Sequence, residues 1–266
     1  MKKLIDDIYF SQYKKSLKRN LRFVFLAQII LFICFISLWQ ILSSYKIINP
    51  IIFSSPSKII TLIIEKCADG SLPIHVLVTS TETLLGFLIG TIGGIILASI
   101  LWFSSSLAKI SDPYLVVLNA MPKVALGPII IVILGPSYLS IILMGAIISL
   151  IITTIVILSG FNHVDENYLK VLRSFRANRW IQFKEAVFPA TIPTIVSTLK
   201  VNVGLSWVGV IVGEFIVSNN GLGYLIIYGF QVFDFTLVLA SLTLIVIVAT
   251  IMYMLVEKIE KHFSYE

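Results

Sequence analysis

The stretch YLSIILMGAIISLIITTIVILS, residues 138–159, decides the fold, because it contains no charged residue over a length that can cross a membrane. A helix needs about twenty mostly apolar residues to cross roughly 30 Å of hydrocarbon. Three more segments have a similar length and the same lack of charge, namely 23–42, 83–103 and 235–256. Each of the four is therefore predicted to be a membrane-spanning helix.

Two further apolar segments contain charged residues. Segment 114–134 contains Lys123, and segment 192–215 contains Lys200 and Glu214. On insertion scales a charge at a helix centre costs about 2.5 to 3.5 kcal/mol, whereas each Leu, Ile or Val contributes about 0.3 to 0.6 kcal/mol in favour of insertion. The apolar residues outweigh the charges, so the sequence predicts an all-α polytopic membrane protein with about six transmembrane helices.

The composition agrees with a chain whose surface meets lipid. Mean hydropathy is +0.98, 58% of the 266 residues are hydrophobic, and only 13% are charged. A soluble domain of this size would need far more polar surface. The first apolar segment is expected to remain as a helix rather than to act as a cleaved signal, because it is as long as a full span.

The placement of lysine and arginine predicts the orientation of the chain. In a six-span arrangement, fifteen basic residues fall on the side of both termini and only Lys46, Lys58 and Lys66 on the other. The positive-inside rule places the fifteen in the cytoplasm, so the net charge of +6 indicates topology rather than nucleic-acid binding. The predicted parts are a basic N-terminal tail (1–22), one transmembrane domain (23–256), a cytoplasmic loop within it (161–191) and a C-terminal tail (257–266).

The sequence contains no cluster of residues typical of catalysis or metal binding. Cys34 and Cys67 fall at different depths, so a disulfide between them is not expected. His75, His163 and His262 fall on different loops and predict no metal site. No G-x-x-x-x-G-K-[ST] run occurs, so the chain itself is not expected to bind ATP. We therefore expect no enzymatic activity and no cofactor.

A stripe of small residues runs along the second span. Gly86, Gly90, Gly94 and Ala98 recur every four residues and would let another helix approach closely. Such a stripe could meet a second subunit or a helix of the same chain. We interpret it as a contact within the chain.

The third span contains features that break a helix. Met121-Pro122-Lys123 and a later Gly-Pro pair interrupt the backbone hydrogen bonds, and irregular backbone at membrane depth must line protein or water. Met121, Pro122 and Lys123 are therefore candidates for a translocation path. Lys123 could instead extend to the cytoplasmic interface. Glu214, near membrane depth in the fifth span, is the fourth path candidate.

The most informative segment reads NHVDENYLKVLRSFRANRWIQFKEAVFPATIP, residues 162–193. Asn162, with Asp165 three residues on, resembles a helix start. Apolar residues then recur at spacings of three and four while arginines follow another face, which predicts a short basic amphipathic helix. Such a helix could lie on anionic lipid or dock into a partner, and its short stripe slightly favours the partner. The apolar positions are Val164, Tyr168, Val171, Leu172 and Phe175, and the basic ones are Arg173, Arg176 and Arg179.

This segment resembles the EAA loop of bacterial binding-protein-dependent ABC permeases. The Glu-Ala-Ala of that pattern corresponds to residues 170–172, its Arg to Arg173, its Gly to Arg176 and its Leu-Pro to residues 188–189. Three other segments resemble, in order, the nitrate, sulfonate and taurine branch with its thiamine-precursor relatives. They are FSSPS (53–57), LLGFLIG (84–90) and VGEFIVSNNGLGYL (212–225).

The resemblance implies a type I ABC importer permease in the bacterial cell membrane, with both termini cytoplasmic. It implies a path for a small solute, in this branch an anionic sulfonate, nitrate or taurine-like compound or a vitamin precursor. The implied partners are a cytoplasmic ABC ATPase dimer, a second permease copy, most simply an identical one, and an external solute-binding protein. The residues implied to couple to the ATPase are Asp165, Tyr168, Lys170, Val171, Leu172, Arg173, Phe175, Arg176, Ala177 and Pro189.

Two positions depart from the family pattern. Arg176 replaces a glycine that would permit a positive φ, so the turn there is predicted to be reshaped or absent. Lys170 replaces a glutamate and reverses a charge expected to face the ATPase. Either the ATPase compensates or coupling is weak, and an inactive paralogue is the alternative.

Two other classes of membrane protein remain as rivals. An ion-coupled secondary transporter would use paired acids at mid-membrane, and a membrane-embedded enzyme would cluster His, Asp or Ser at one depth. Glu82 and Glu214 are the acids closest to membrane depth, but they fall near the outer ends of their spans. The sequence indicates neither paired acids at mid-membrane nor a catalytic cluster, which favours the permease.

Overall fold

The protein is built from helices. The computed structural model describes residues 2–263, apart from the side chains of 2–18, 21, 123, 262 and 263, and the described part contains no strand. The predicted all-α class is confirmed. The helices are α1 (Lys2–Ser44), α2 (Pro50–Phe53), α3 (Pro56–Ala68), α4 (Ser71–Phe103), α5 (Ser105–Ala120), α6 (Gly127–Leu134), α7 (Tyr138–Asn162), α8 (Glu166–Ser174), α9 (Arg179–Gln182), α10 (Phe188–Val217), α11 (Leu222–Gln231) and α12 (Phe235–Phe263).

Among the described residues, five helical stretches are long and apolar enough to cross a membrane. They are Arg22–Ser44, Ser71–Phe103, Tyr138–Asn162, Arg179–Val217 and Phe235–Lys261. A sixth span results if α5 and the stretch Val124–Leu134 are taken together, although these two meet at an angle of 96°. The predicted number of about six therefore holds only with this broken segment included.

The break in the third predicted span lies where the sequence places it. α5 ends before Met121, whose ψ of 140° is extended, and a 3₁₀ turn (Lys123–Leu126) leads into α6. Pro122 has no N–H to continue the helical hydrogen bonds, and its ring favours extended backbone in the preceding residue. Met121-Pro122 and Gly127-Pro128 thus divide this span into two short helices, α5 and α6.

α4, α7 and α10 form the centre of the bundle, and the glycine stripe of α4 packs on α7. A Cβ at Gly90 would lie 2.7 Å from Cβ of Ser149, and one at Gly94 would lie 2.8 Å from Cγ2 of Thr153, so neither position has room for a side chain. The predicted contact within the chain is confirmed. A buried hydrogen bond also holds α10 against α7, because Asn202 of α10 donates to the hydroxyl of Thr153 on α7 at 2.7 Å.

Two ends of the bundle can be distinguished by their short helices. α8 and α9 lie at one end, called here the α8 end, while α3 and α11 lie at the other, called the α3 end. At the α3 end, Ser55 caps α3 by accepting from the N–H of Lys58. Asp69 follows α3 and accepts from the N–H and hydroxyl of Ser71 at 2.8 and 2.6 Å, which lowers the pKa of this exposed carboxyl.

Candidate functional site

α8 begins later than the sequence pattern suggests. The predicted helix start at Asn162 is wrong, because α7 continues through Phe161 and ends at Asn162 itself. The N-cap of α8 is Asp165, whose carboxylate accepts from the N–H of Asn167 at 2.9 Å. An acidic cap satisfies a free first-turn donor and interacts favourably with the helix dipole.

The apolar residues of this loop divide between two faces of α8. Val164 and Leu169 pack against the buried cluster at the α8 end of the bundle. Tyr168, Val171 and Phe175 point away from the bundle and are 61%, 56% and 78% exposed. These three residues are called here the outward patch. The single predicted stripe is thus two stripes, and only one of them is free to meet a partner.

Leu172 and Lys170 complete the predicted Glu-Ala-Ala position. Leu172 is half-buried and does not belong to the outward patch. Lys170 is exposed and forms an ion pair with Glu166 one turn earlier, at 3.0 Å. Exposed pairs of this kind contribute little stability, so the charge of Lys170 remains accessible to a partner.

The three arginines do not share a helix face, which corrects the predicted basic face. α8 ends at Ser174, so only Arg173 belongs to it, while Arg176 lies in the following turn and Arg179 begins α9. Arg173 donates from Nε to Oε1 of Gln182 at 3.4 Å. Arg173 therefore links α8 to α9 and also adds positive charge to the loop.

Arg176 adopts the left-handed conformation that a glycine at this position would permit. Its φ is 57°, the N–H of Ala177 donates to the carbonyl of Leu172 at 3.0 Å, and the N–H of Arg176 donates to that of Arg173 at 2.9 Å. This pair of bonds is a Schellman motif, which usually places glycine at the left-handed residue. The prediction that the turn is reshaped or absent is wrong, because the hydrogen bonds hold the arginine in a strained backbone conformation.

An aromatic cluster joins the loop to the membrane helices. The ring of Phe183, which follows α9, lies 5.0 to 5.3 Å from those of Trp102, Phe103 and Phe161. Arg179 donates from Nη1 to the carbonyl of Phe103 at 2.6 Å. Aromatic pairs at these distances add to the stability that comes from burial. The loop is thus packed rigidly on α4 and α7.

Pro189 explains a wide turn between α9 and α10. Residues 183–187 form a π-helical turn in which the N–H of Phe188 donates to the carbonyl of Phe183. A proline inside a helix removes one hydrogen bond, and its ring clashes with the carbonyl four residues earlier, here that of Glu185. The wider turn relieves that clash, so α9, the π-helical turn and α10 form one continuous helical stretch, Arg179–Val217.

The path candidates of the third span lie at its break. Met121 is half-buried and Pro122 is exposed, while the side chain of Lys123 falls outside the described part of the chain. A cavity of ≈ 340 Å³ lies between α5 and α7, toward the α8 end. Its polar lining comes from Asp112, Asn119, Ser159, Asn162 and His163.

Glu214 lies inside the chain rather than on an open surface. It is 1% exposed and accepts from the hydroxyl of Thr79 and from the N–H of Gly223, both at 2.6 Å. The carboxyl of Glu82 lies beside it and is 3% exposed. The two acids that the sequence placed on separate spans are therefore paired, near the α3 end of the bundle.

The sequence did contain a signal for this pair in the run Gly221-Leu222-Gly223. A Cβ at Gly221 would lie 2.6 Å from Oε2 of Glu214, and one at Gly223 would lie 2.7 Å from it. Both glycines are therefore required by the buried carboxyl. Two glycines spaced by one residue shortly after a membrane-depth acid could have indicated close packing of backbone on that acid.

Known proteins resemble this chain over most of its length. Residues 90–265 match the model of the family described as binding-protein-dependent transport system inner membrane component. The putative aliphatic sulfonates transport permease protein SsuC of Bacillus subtilis is 25% identical over 85% of this chain and 82% of its own length. The nitrate import permease protein NrtB of Synechococcus elongatus is 26% identical, over 76% of this chain and 75% of its own.

Solved structures share the fold. A chain of the MetNI methionine ABC transporter in an inward-facing conformation superimposes with a TM-score of 0.61 at 16% sequence identity. The match covers 72% of the present chain and 95% of that one. At this identity the likeness concerns the arrangement of helices alone.

Proposed function

The chain belongs to the family of binding-protein-dependent transport system inner membrane components, and from this premise we propose that α8 couples it to a separate ATPase. It is the permease of an ATP-binding-cassette importer, a multi-pass membrane protein and not an enzyme. Membership of this family implies an ATPase and a solute-binding protein as partners. We further propose which partner α8 contacts, which solute is transported and how many copies of the chain assemble.

The observation that carries the coupling proposal is the outward patch. Three large apolar side chains of one short helix are exposed at a bundle end, beside the charged residues Glu166 and Lys170. A helix that lies on anionic lipid is usually longer and presents a mainly basic polar face. A few anchors that enter a pocket of a partner suit a nine-residue helix better. We therefore assign the patch to a socket on the ATPase.

The structure beneath α8 supports transmission of movement. Val164 and Leu169 pack on the cluster around Phe183, which in turn contacts α4 and α7, while the same loop continues directly into α10. α4, α7 and α10 form the bundle centre. A displacement of α8 by the ATPase would therefore move these three helices together rather than bend the loop.

The left-handed turn at Arg176 is relevant to whether the protein is a working transporter or an inactive paralogue. An inactive paralogue would have no reason to retain a left-handed residue at a strained position. The Schellman motif instead preserves the loop shape that a glycine would give. We propose on this ground that the loop couples normally, with the charge of Lys170 matched by the cognate ATPase.

The assembly and the cargo follow from the same family. We propose that the α8 end faces the cytoplasm, as the excess of lysine and arginine there favours. Two copies of the chain would flank the path, with the break at Met121-Pro122-Lys123 facing it. Relatives named for aliphatic sulfonates and nitrate favour a small anionic solute, and Lys123 would supply a positive charge along its route.

Site-directed cross-linking tests the coupling surface. The chain with Cys34 and Cys67 replaced by serine and a single Phe175→Cys change is produced together with its cognate ATPase. It is then treated with a short bifunctional reagent that joins a thiol to an amine. The expected result is a covalent permease–ATPase product whose yield changes with ATP. Tyr45→Cys, which is 77% exposed but lies at the α3 end, serves as the matched control. Equal yields at the two positions would overturn the assignment.

A further inference from the structure

Among the described side chains, no positive charge balances the buried pair Glu82 and Glu214. The two carboxyl groups lie side by side, and both are almost wholly buried. Glu214 accepts two hydrogen bonds, but no N–H or hydroxyl group of the described residues donates to either oxygen of Glu82. Buried charges are normally paired with opposite charge, and two adjacent carboxylates in a dry site repel each other strongly.

No basic side chain of the surrounding helices supplies this charge. α7 and α11 contain no Lys, Arg, Asp or Glu, and Glu82 and His75 are the only titratable residues in α4. On α10 the basic residue is Lys200, four turns from Glu214, where it pairs with Glu260 of α12.

His75 does not supply the charge either. The N–H of Gly221 donates to Nδ1 of His75 at 2.9 Å, so this nitrogen carries a lone pair. An imidazolium ring has hydrogen on both nitrogens and could not accept that bond. The ring is therefore neutral in this arrangement.

Further features beside the pair fit a bound ligand. The hydroxyl of Thr83, the residue that follows Glu82 in α4, is fully buried and also lacks a hydrogen-bond partner among the described residues. A cavity of ≈ 230 Å³, lined by Leu77, Tyr138 and Ile142 among others, reaches Glu82 from the surface. The site thus has buried oxygens that receive no hydrogen bond from the described residues, beside a cavity that opens to the surface.

We propose that Glu82 and Glu214 hold one bound monovalent cation, a proton or Na⁺, and that this cation fastens α11 to the bundle. The N–H groups of Gly221, Leu222 and Gly223, at the start of α11, donate to His75, Thr79 and Glu214 in turn. α11 has no side-chain cap of its own, so these three acceptors replace it. With the cation present, Glu214 keeps its position; without it, the repulsion from Glu82 displaces Glu214 and releases α11.

Thermal unfolding of the purified full-length chain in lipid nanodiscs tests the proposal. A ligand that binds only the folded state raises Tm, so the wild-type Tm should fall by on the order of 2–4 °C when its cation is removed. If the cation is a proton, raising the pH from about 6 to about 9 in choline chloride causes the fall, and sodium does not reverse it. If the cation is Na⁺, sodium restores the Tm at the higher pH.

Glu82→Gln should remove either dependence, because the amide is neutral and its NH₂ can donate to Glu214 permanently. Glu65→Gln, an exposed acid on α3, is the control and should respond as the wild type does. Equal responses of the wild type and Glu82→Gln would overturn the proposal.

If Glu82→Gln does not fold, two measurements on the wild type decide. These are an infrared band of a protonated carboxylic acid that disappears on titration, and saturable binding of radioactive sodium; the absence of both refutes a bound cation. None of these readouts involves transport, so their outcome is independent of the coupling proposal.

Discussion

The N–H of Ala177 donates to the carbonyl of Leu172 at 3.0 Å, and this bond closes the end of α8 over an arginine in the left-handed region. The left-handed conformation costs an L-residue about 1–2 kcal/mol, whereas glycine adopts it freely. The turn therefore keeps the shape that a glycine would give while retaining a destabilising residue.

Arg176→Gly is expected to stabilise the protein. Relief of the strained φ should outweigh the greater backbone freedom of glycine in the unfolded chain, for a net gain of about 1 kcal/mol. The measurement is Tm of the purified chain, which should rise by roughly 2–4 °C. Arg173→Gly, within α8, is the control and should lower Tm, because glycine weakens a helix interior. A fall in Tm for Arg176→Gly would show that the arginine side chain contributes more than its backbone costs.

Phe175→Asp is expected to weaken assembly with the ATPase and thereby lower uptake. The change places a charge in the outward patch without touching the bundle, because Phe175 is 78% exposed. Removing an anchor of a small interface costs about 2 kcal/mol or more, which corresponds to at least tenfold weaker assembly with the ATPase. Uptake in proteoliposomes and ATPase activity stimulated by the binding protein should both fall.

The control for this change is Tyr45→Asp, at an equally exposed position of the α3 end. It should leave assembly with the ATPase unchanged. Leu172→Asp is a poorer test, because Leu172 is half-buried and its loss could disturb the fold of the loop. Normal assembly and uptake by Phe175→Asp would remove α8 from the coupling surface.

Helices and their breaks could be predicted from the sequence, whereas contacts between distant residues could not. Charge-free runs and proline positions act locally, so the spans and the interruption at Pro122 were visible in the sequence. The pairing of Glu82 with Glu214 depends on how α4 and α10 pack, which no local pattern specifies. The start of α8 was misplaced because Asn162 and Asp165 are both good caps, and only the end of α7 decides between them.

The shape of the turn at Arg176 was missed for a different reason. Backbone preference alone argues against a positive φ for arginine. In the folded loop, Arg173 donates a hydrogen bond to Gln182, and Val164 and Leu169 pack on the bundle. These contacts hold the residues that flank the turn in place. Tertiary packing thus imposed a conformation that the local sequence disfavours.

Gly90→Val is expected to separate α4 from α7. The new side chain would overlap with Ser149 and with the backbone of Ala146, and backbone cannot move aside cheaply. Overpacking of this kind costs on the order of 3 kcal/mol, so expression in the membrane and Tm should both drop clearly. Gly204→Val, on α10 with no atom within 4 Å of its Cβ position, is the control and should be tolerated. Similar losses for both variants would mean that the glycine stripe does not form the contact described.

Gly221→Ala separates the cost of a strained backbone from that of a collision with Glu214. Gly221 and Gly135 both have positive φ, 108° and 76°, but nothing lies within 4 Å of a Cβ at Gly135. Gly135→Ala, at a φ of 76° and a ψ of 169°, should therefore cost only about 1–3 kcal/mol of conformational strain. Gly221→Ala adds a clash with a buried carboxyl that already receives the N–H of Gly223, and it should cost about 2 kcal/mol more. Denaturant titration of both variants in the same detergent measures the difference directly. If the two costs are equal, the carboxyl of Glu214 is free to move, and α11 is not held by it.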